Sequence, residues 1–178
     1  KAARKNPVNS MAADPIFAVA LNAAFGMETA PPSSRMTTRP SARLPKVARS
    51  NLLICDTGNS RLRLVSRETG IITTVSGTGE STATPNTGPM SGTALLGPRS
   101  LDTDPDGNIY LVLREGNAVY QLNSKANTLA RIAGTGKRGY SGDGGSALDA
   151  TFNGPKGIAY SRQDNSLYVV DTENHAVR

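Results

Sequence analysis

The chain has 178 residues, a net charge of +6, one cysteine and one histidine. The single cysteine, Cys55, excludes an internal disulfide, and the single histidine, His175, excludes a three-histidine metal centre within the chain. No Trp, an aromatic fraction of 4%, 18 Gly and 11 Pro predict a core of Ile, Leu, Val and Ala and many turns, the make-up of short-stranded all-β folds. The positive charge is not spread along the chain. Residues 1–50 carry eight basic and two acidic side chains, whereas residues 51–178 carry twelve of each. The high isoelectric point therefore describes an N-terminal segment, not the remainder.

In chain order, that segment (residues 1–43) comes first. Asp14, Pro15 and the apolar run Ile16–Phe25 before Gly26 predict a short helix with an N-cap, a proline at the first helical position and a glycine stop. The same run after Lys1, Arg4 and Lys5 faintly resembles a secretory signal. It is shorter than the ~18 apolar residues of a membrane span, and no other run in the sequence is long enough. Residues 30–46, rich in Pro, Ser, Thr and Arg, read as a linker, and their acid-free character also fits an organellar transit sequence.

From about Leu44 to Arg178 the sequence repeats. Asn51–Arg63 returns as Ser166–Arg178, with a worn copy at Asn108–Tyr120. Two further anchors keep the register: Val75-Ser76-Gly77-Thr78-Gly79 returns as Ile132-Ala133-Gly134-Thr135-Gly136, and Leu96-Gly97-Pro98 as Asn153-Gly154-Pro155. Such a period with strand-like content predicts stacked or radially arranged units, none able to bury its own apolar face alone. The first unit reads as strands at 51–57, 61–66 and 71–76. The central unit reads as strands at 100–104, 108–113, 118–122 and 128–133, with a tight turn at Asp104-Pro105-Asp106-Gly107. In Asn108–Leu113 both faces are apolar, Ile109, Leu111 and Leu113 against Tyr110 and Val112, which predicts a strand buried on both sides. A long loop, clearest from Gly134 to Pro155, separates one unit from the next. Four antiparallel strands per unit is the layout of a β-propeller blade, and propellers close with roughly four to eight blades. The expectation is an all-β set of two to three blades, with missing blades supplied by a longer chain or another subunit.

The residues resemble the NHL-repeat β-propellers over about 44–178. The matching motif is a strand, Asp-Thr-x-Asn, two residues, a hydrophobic residue and Arg, seen in Cys55–Arg63 and Val170–Arg178. The Gly-Thr-Gly…Gly-Tyr-Ser-Gly-Asp-Gly-Gly loop is similar to a long-loop variant common in bacterial extracytoplasmic NHL proteins. The central copy departs, with Leu113 in place of Asp and Arg114 in place of Thr, and is expected to lack the polar turn network. The motif residues Asp56, Asn59, Arg63, Asp171, Asn174 and Arg178 are expected to stabilise blades. Asp would accept N–H groups of the following turn, Asn tolerates a left-handed conformation and would bond locally, and Arg would pair with the Asp of its own or a neighbouring blade.

No catalytic set and no metal set is legible. His175 falls at a variable turn position and reads as a surface residue; Cys55 lies within an apolar strand and reads as core. Asp143 among glycines reads as a cation ligand or as an anchor for the loop; for calcium, only Asp149 is nearby to help. Lys137, Arg138, Tyr140 and Asp143 make up a candidate partner-binding loop. The leading functional expectation is a non-enzymatic scaffold for a protein or peptide partner. The alternatives are part of a propeller lyase or lactonase with metal ligands in other blades, as the resemblance allows, and RNA binding through basic and aromatic residues.

Overall fold

A computed structural model describes residues 51–178. The helix, the linker and the start of the repeats near Leu44 lie outside the described residues. Those described are all-β apart from three single-turn 3-10 segments. Eleven strands run in chain order: β1 (Leu52–Asp56), β2 (Arg61–Val65), β3 (Ile72–Ser76), β4 (Thr87–Pro89), β5 (Pro98–Thr103), β6 (Ile109–Leu113), β7 (Ala118–Asn123), β8 (Thr128–Ala133), β9 (Gly157–Ser161), β10 (Ser166–Asp171) and β11 (Ala176–Val177). They form three antiparallel sheets, ordered β1-β2-β3, β4-β8-β7-β6-β5 and β11-β10-β9. Sheet boundaries follow the sequence period: each sheet is built on one copy of the motif.

The turns form for local reasons. Asp104 binds the whole Asp-Pro-Asp-Gly turn, accepting from the backbone N–H groups of Asp106 (3.0 Å) and Asn108 (2.9 Å), from Asn108 Nδ2 and from the Tyr110 hydroxyl. Gly107, at φ +84°, closes the turn by donating to the Asp104 carbonyl. Partial burial of Asp104 works towards neutralising it, but the hydrogen bonds from Asn108, Tyr110 and Asp106 prevail and hold its carboxyl below the usual range.

The central sheet differs from the four-strand expectation. Its four consecutive strands β5–β8 are there, and β4 adds a fifth at the outer edge, pairing Thr87 with Ala130 and Pro89 with Thr128. This strand comes from the loop that leads out of the first sheet. Proline lacks the N–H an interior strand needs, so an edge is where Thr87-Gly88-Pro89 can pair. Among the described residues the first sheet has three strands, and so does the third.

Packing between the sheets uses the two faces of each strand. Ile109, Leu111 and Leu113 of β6 join Leu53, Leu62 and Leu64 of the first sheet in one buried cluster. Val112 and Val119, on the opposite face, join Ile158 and Val169 of the third sheet in another. The central sheet is thus covered on both sides, as its two apolar faces predict. Each joint is plugged by an apolar residue from the long loop before it: Leu95 in the first and, at the equivalent position 57 residues on, Phe152 in the second. The next face in the series, on the third sheet, is uncovered among the described residues. Val170 and Val177 are 43% and 67% exposed, whereas their counterparts Val112 and Val119 are 0% and 1%.

Burying these apolar surfaces is the main source of stability, at roughly 25 cal/mol per Å² removed from water. Leu111 has no exposed surface and sits in the joint between the first and central sheets. Leu111→Ala is expected to destabilise the full chain by about 2–5 kcal/mol. Urea unfolding checks this as a lower transition midpoint.

Candidate functional site

One side chain makes the most contacts that hold the long loop of the third repeat. Arg178 lies at the last motif position and is mostly buried. Its Nη2 donates to the Ser141 carbonyl (2.7 Å) and to Asp143 Oδ1 (2.6 Å), and its Nε also donates to Asp143 Oδ1 (2.9 Å). Its Nη1 donates to the Thr151 carbonyl (2.7 Å) and reaches Asp171 Oδ2 at 3.5 Å. The guanidinium also lies 5.2 Å from the ring centre of Tyr140 and 5.1 Å from that of Phe152. Both loop strands, 139–143 and 151–152, are therefore tied to the sheet through one charge, with added cation–π attraction.

Asp171 has no exposed surface and is fully engaged. It accepts from the Asn153 backbone N–H and from Asn174 Nδ2, both at 2.7 Å. The first repeat has part of the same set: Asn59 Nδ2 donates to Asp56 (2.8 Å) and Arg63 lies 3.5 Å from it. The motif residues thus gather as their spacing predicts, with two corrections. The backbone N–H that Asp171 binds belongs to the preceding long loop, not to the following turn. The left-handed residue is the one after the Asn: Ser60 at φ +49° and His175 at φ +53°. Asn59 and Asn174 end the 3-10 turns instead, because their side chains are needed on the Asp.

In the central repeat the same position solves the same problem without charge. Leu113 replaces Asp and Tyr120 replaces Arg, and both are buried in the core. The Tyr120 hydroxyl donates to the Thr84 carbonyl (3.1 Å). Thr84 precedes Ser141 by 57 residues, so the same loop carbonyl is gripped in both repeats. Removing both members of a buried ion pair together costs little, whereas removing one strands the other. The central blade lacks the ionic network as expected, yet keeps the loop grip.

Each long loop begins at an equivalent glycine, Gly77 or Gly134, at φ +92° and +81°. A Cβ on Gly134 would stand 2.7 Å from the Phe152 ring and 2.9 Å from the Ala118 backbone, so the loop leaves the strand where only glycine fits.

Of the four candidate loop residues, Lys137, Arg138 and Tyr140 are exposed, Tyr140 by 59%. Asp143 is exposed too, and its Oδ1 is paired with Arg178, so it anchors the loop. Among the described residues no group of three or more His, Cys, Asp or Glu side chains gathers. Beside Arg138 the structure shows a feature the sequence hid. A cleft of about 290 Å³ opens between the central and third repeats, lined by Arg114, Glu115, Asn117, Arg138 and Gly154. Its rim is ionic: Arg114 pairs with Glu115 (2.6 Å) and approaches Glu173 (3.7 Å), which also holds Lys156 (3.1 Å). The Lys156 ammonium, with Arg114 and Arg138 behind it, holds the Glu173 carboxyl below the usual range. Asn117 ties the two walls together by accepting from the Gly154 N–H (2.9 Å). Arg114 and Arg138 lie 24 residues apart, and no spacing rule would pair them.

His175 is an exposed turn residue, and Cys55 packs partly buried against the first core cluster. Burial pushes the Cys55 thiol up to about 12, against a smaller opposing pull from Arg99. Two outcomes follow from this geometry. Alkylation of Cys55 at mildly alkaline pH should run at least about a hundredfold slower in the native chain than in urea, because the thiolate is the reactive form. Asp171→Leu should cost about 3 kcal/mol, and Arg178→Tyr in the same chain should restore at least about 1 kcal/mol of that, as read from a double-mutant cycle in urea.

Comparison with known proteins places this arrangement. The NHL repeat family matches residues 152–178. A curated Arabidopsis thaliana protein, Protein SUPPRESSOR OF QUENCHING 1, chloroplastic, is 48% identical over 50 residues, which is 28% of this chain and 4% of that protein. A solved Bacteroides thetaiotaomicron structural genomics protein of unknown function matches with TM-score 0.62 and 23% identity, over 72% of this chain and 31% of its own. An auxiliary nutrient binding protein from Bacteroides ovatus matches with TM-score 0.53 and 19% identity, over 75% of this chain and 37% of its own. The two structural likenesses are likenesses of fold. The chain spans a small part of the curated protein and about a third of each solved one. The third repeat matches the NHL repeat, and the sheets have the fold of β-propeller blades.

Proposed function

We propose that the chain is a non-enzymatic binding scaffold that holds a protein or peptide partner on the face carrying the long loops. The observation that supports it most is the loop clamp. Arg178 fixes the loop from within through Asp143, Ser141 and Thr151, while Lys137, Arg138 and Tyr140 stay on the outside. A loop already ordered loses little entropy on binding, and long loops on a rigid frame are where binding groups concentrate. The fold match to a protein described as an auxiliary nutrient binding protein agrees with a binding role. Of the motif residues, Asp171, Asn174 and Arg178 support the loop, and Asp56, Asn59 and Arg63 form the equivalent set in the first blade. The uncovered apolar face at Val170 and Val177 is the seat for a further blade of the same kind, from the same chain or another subunit, because its counterpart on the central blade is filled in that way.

The test is cross-linking mass spectrometry of partners captured by the full chain, beside a variant carrying Lys137→Ser, Arg138→Ser and Tyr140→Ser. The variant should keep its thermal midpoint, since the three side chains are exposed, and lose the partners cross-linked to residues 134–155. Partners retained in full by the variant would contradict the reading. So would a stoichiometric metal whose removal abolishes a hydrolytic or eliminating activity.

A further inference from the structure

The cleft between Arg114 and Arg138 is not accounted for by the loop clamp. Arg114 stands where the other two repeats have Thr, and in the first repeat that Thr joins two blades. Thr57 Oγ1 donates to the Pro98 carbonyl of the next blade (2.7 Å). Arg114 instead extends to the rim of the cleft. Its Nη1 is engaged by Glu115 and its Nη2 lies 3.7 Å from Glu173, while its Nε is buried and lacks a hydrogen-bond partner. Across the cleft, the Arg138 guanidinium forms neither a hydrogen bond nor an ion pair among the described residues. The segment that carries it is held rigidly, by the Gly139 N–H donating to the Phe152 carbonyl (3.0 Å) and by Asn174 Nδ2 donating to the Gly139 carbonyl (2.8 Å).

The charges decide the ligand. Arg114, Arg138 and Lys156 gather here against Glu115 and Glu173, leaving an excess of one positive charge in a set of blades that is neutral overall. Arg114 and Arg138 both line this space, and the planar fork of a guanidinium matches a carboxylate. A polyphosphate backbone fits less well. Glu115 lines the cleft and Glu173 lies beside Arg114, and both carboxylates would repel a closely spaced line of negative charge. We infer that this cleft is a docking site for a carboxylate side chain, Asp or Glu, on an extended acidic peptide, gripped between Arg114 and Arg138. The inference rests on the scaffold reading and names the chemistry of its partner.

The probe is a short fluorescein-labelled peptide of alternating Glu and Ser, titrated with the full chain and followed by anisotropy, beside its Gln-for-Glu counterpart and a single-stranded oligouridine. The Glu peptide should bind, and the Gln peptide should not. Arg114→Gln with Arg138→Gln should weaken Glu-peptide binding by at least about tenfold. Lys125→Gln with Arg162→Gln removes the same charge from turns at the opposite end of the sheets and should change it little. This control separates the cleft from the basic residues 1–50, which attract any anion. Equal losses in the two double variants, no loss in either, no binding of the Glu peptide, or oligouridine taking its place at the two arginines would overturn the inference. If partners are lost with the Lys137, Arg138 and Tyr140 substitutions while the Glu peptide ignores Arg114 and Arg138, the scaffold reading stands and only this inference falls.

Discussion

One constraint governs this molecule: a blade has two apolar faces and can bury neither alone. β6 shows it most directly. Leu111 and Val112 are adjacent in sequence, point to opposite faces and have no exposed surface, because each is covered by a different neighbouring sheet. The joint is the unit of stability, and the long loop contributes to it by sending Leu95 or Phe152 into the gap. The loop is therefore part of the packing before it is part of any surface. That explains why it can be long without being loose, and why a few residues, with Arg178 at the end of the motif foremost, position it.

That residue shows how a repeat tolerates change. The grip on the loop carbonyl at Thr84 or Ser141 persists while its chemistry changes from Tyr120 to Arg178. The partner changes with it, from Leu113 to Asp171. An isolated Asp at the central position would leave a buried charge against a phenol, and an isolated Leu at the third would leave Arg178 without its buried anion. The two positions vary as a pair because the cost of a buried ion lies in stranding it. Function can then be layered onto positions that the packing leaves free. Arg114 occupies a site that Thr uses elsewhere for an inter-blade hydrogen bond, and it contributes instead to an ionic rim.

Much of this was legible in the sequence. The alternation in Asn108–Leu113 revealed a strand covered on both faces, and the spacing of Asp, Asn and Arg in two copies foretold a shared polar cluster. The strand boundaries fell within a residue or two, because Gly, Asn and Asp punctuate them. Other features were hidden for physical reasons. Thr87-Gly88-Pro89 carries no strand signal, and only its proximity to the open edge of β8 makes it pair. Asp143 read as a cation ligand or a loop anchor, and the sequence left the choice open because its partner Arg178 lies 35 residues away and only the fold joins them. The cleft was invisible because it forms between two repeats, from a motif substitution in one and a loop residue in the other.

The account stands or falls on whether the long loop is bound into the blade as firmly as a strand. Hydrogen–deuterium exchange on the full chain measures this directly. The amides of Gly139, Thr151 and Asn153, which donate to Phe152, Ser141 and Asp171, should exchange as slowly as those of β9 and β10. Exchange of these three at the unprotected rate, while β9 and β10 remain protected, would show that the loop is free and that the clamp does not exist.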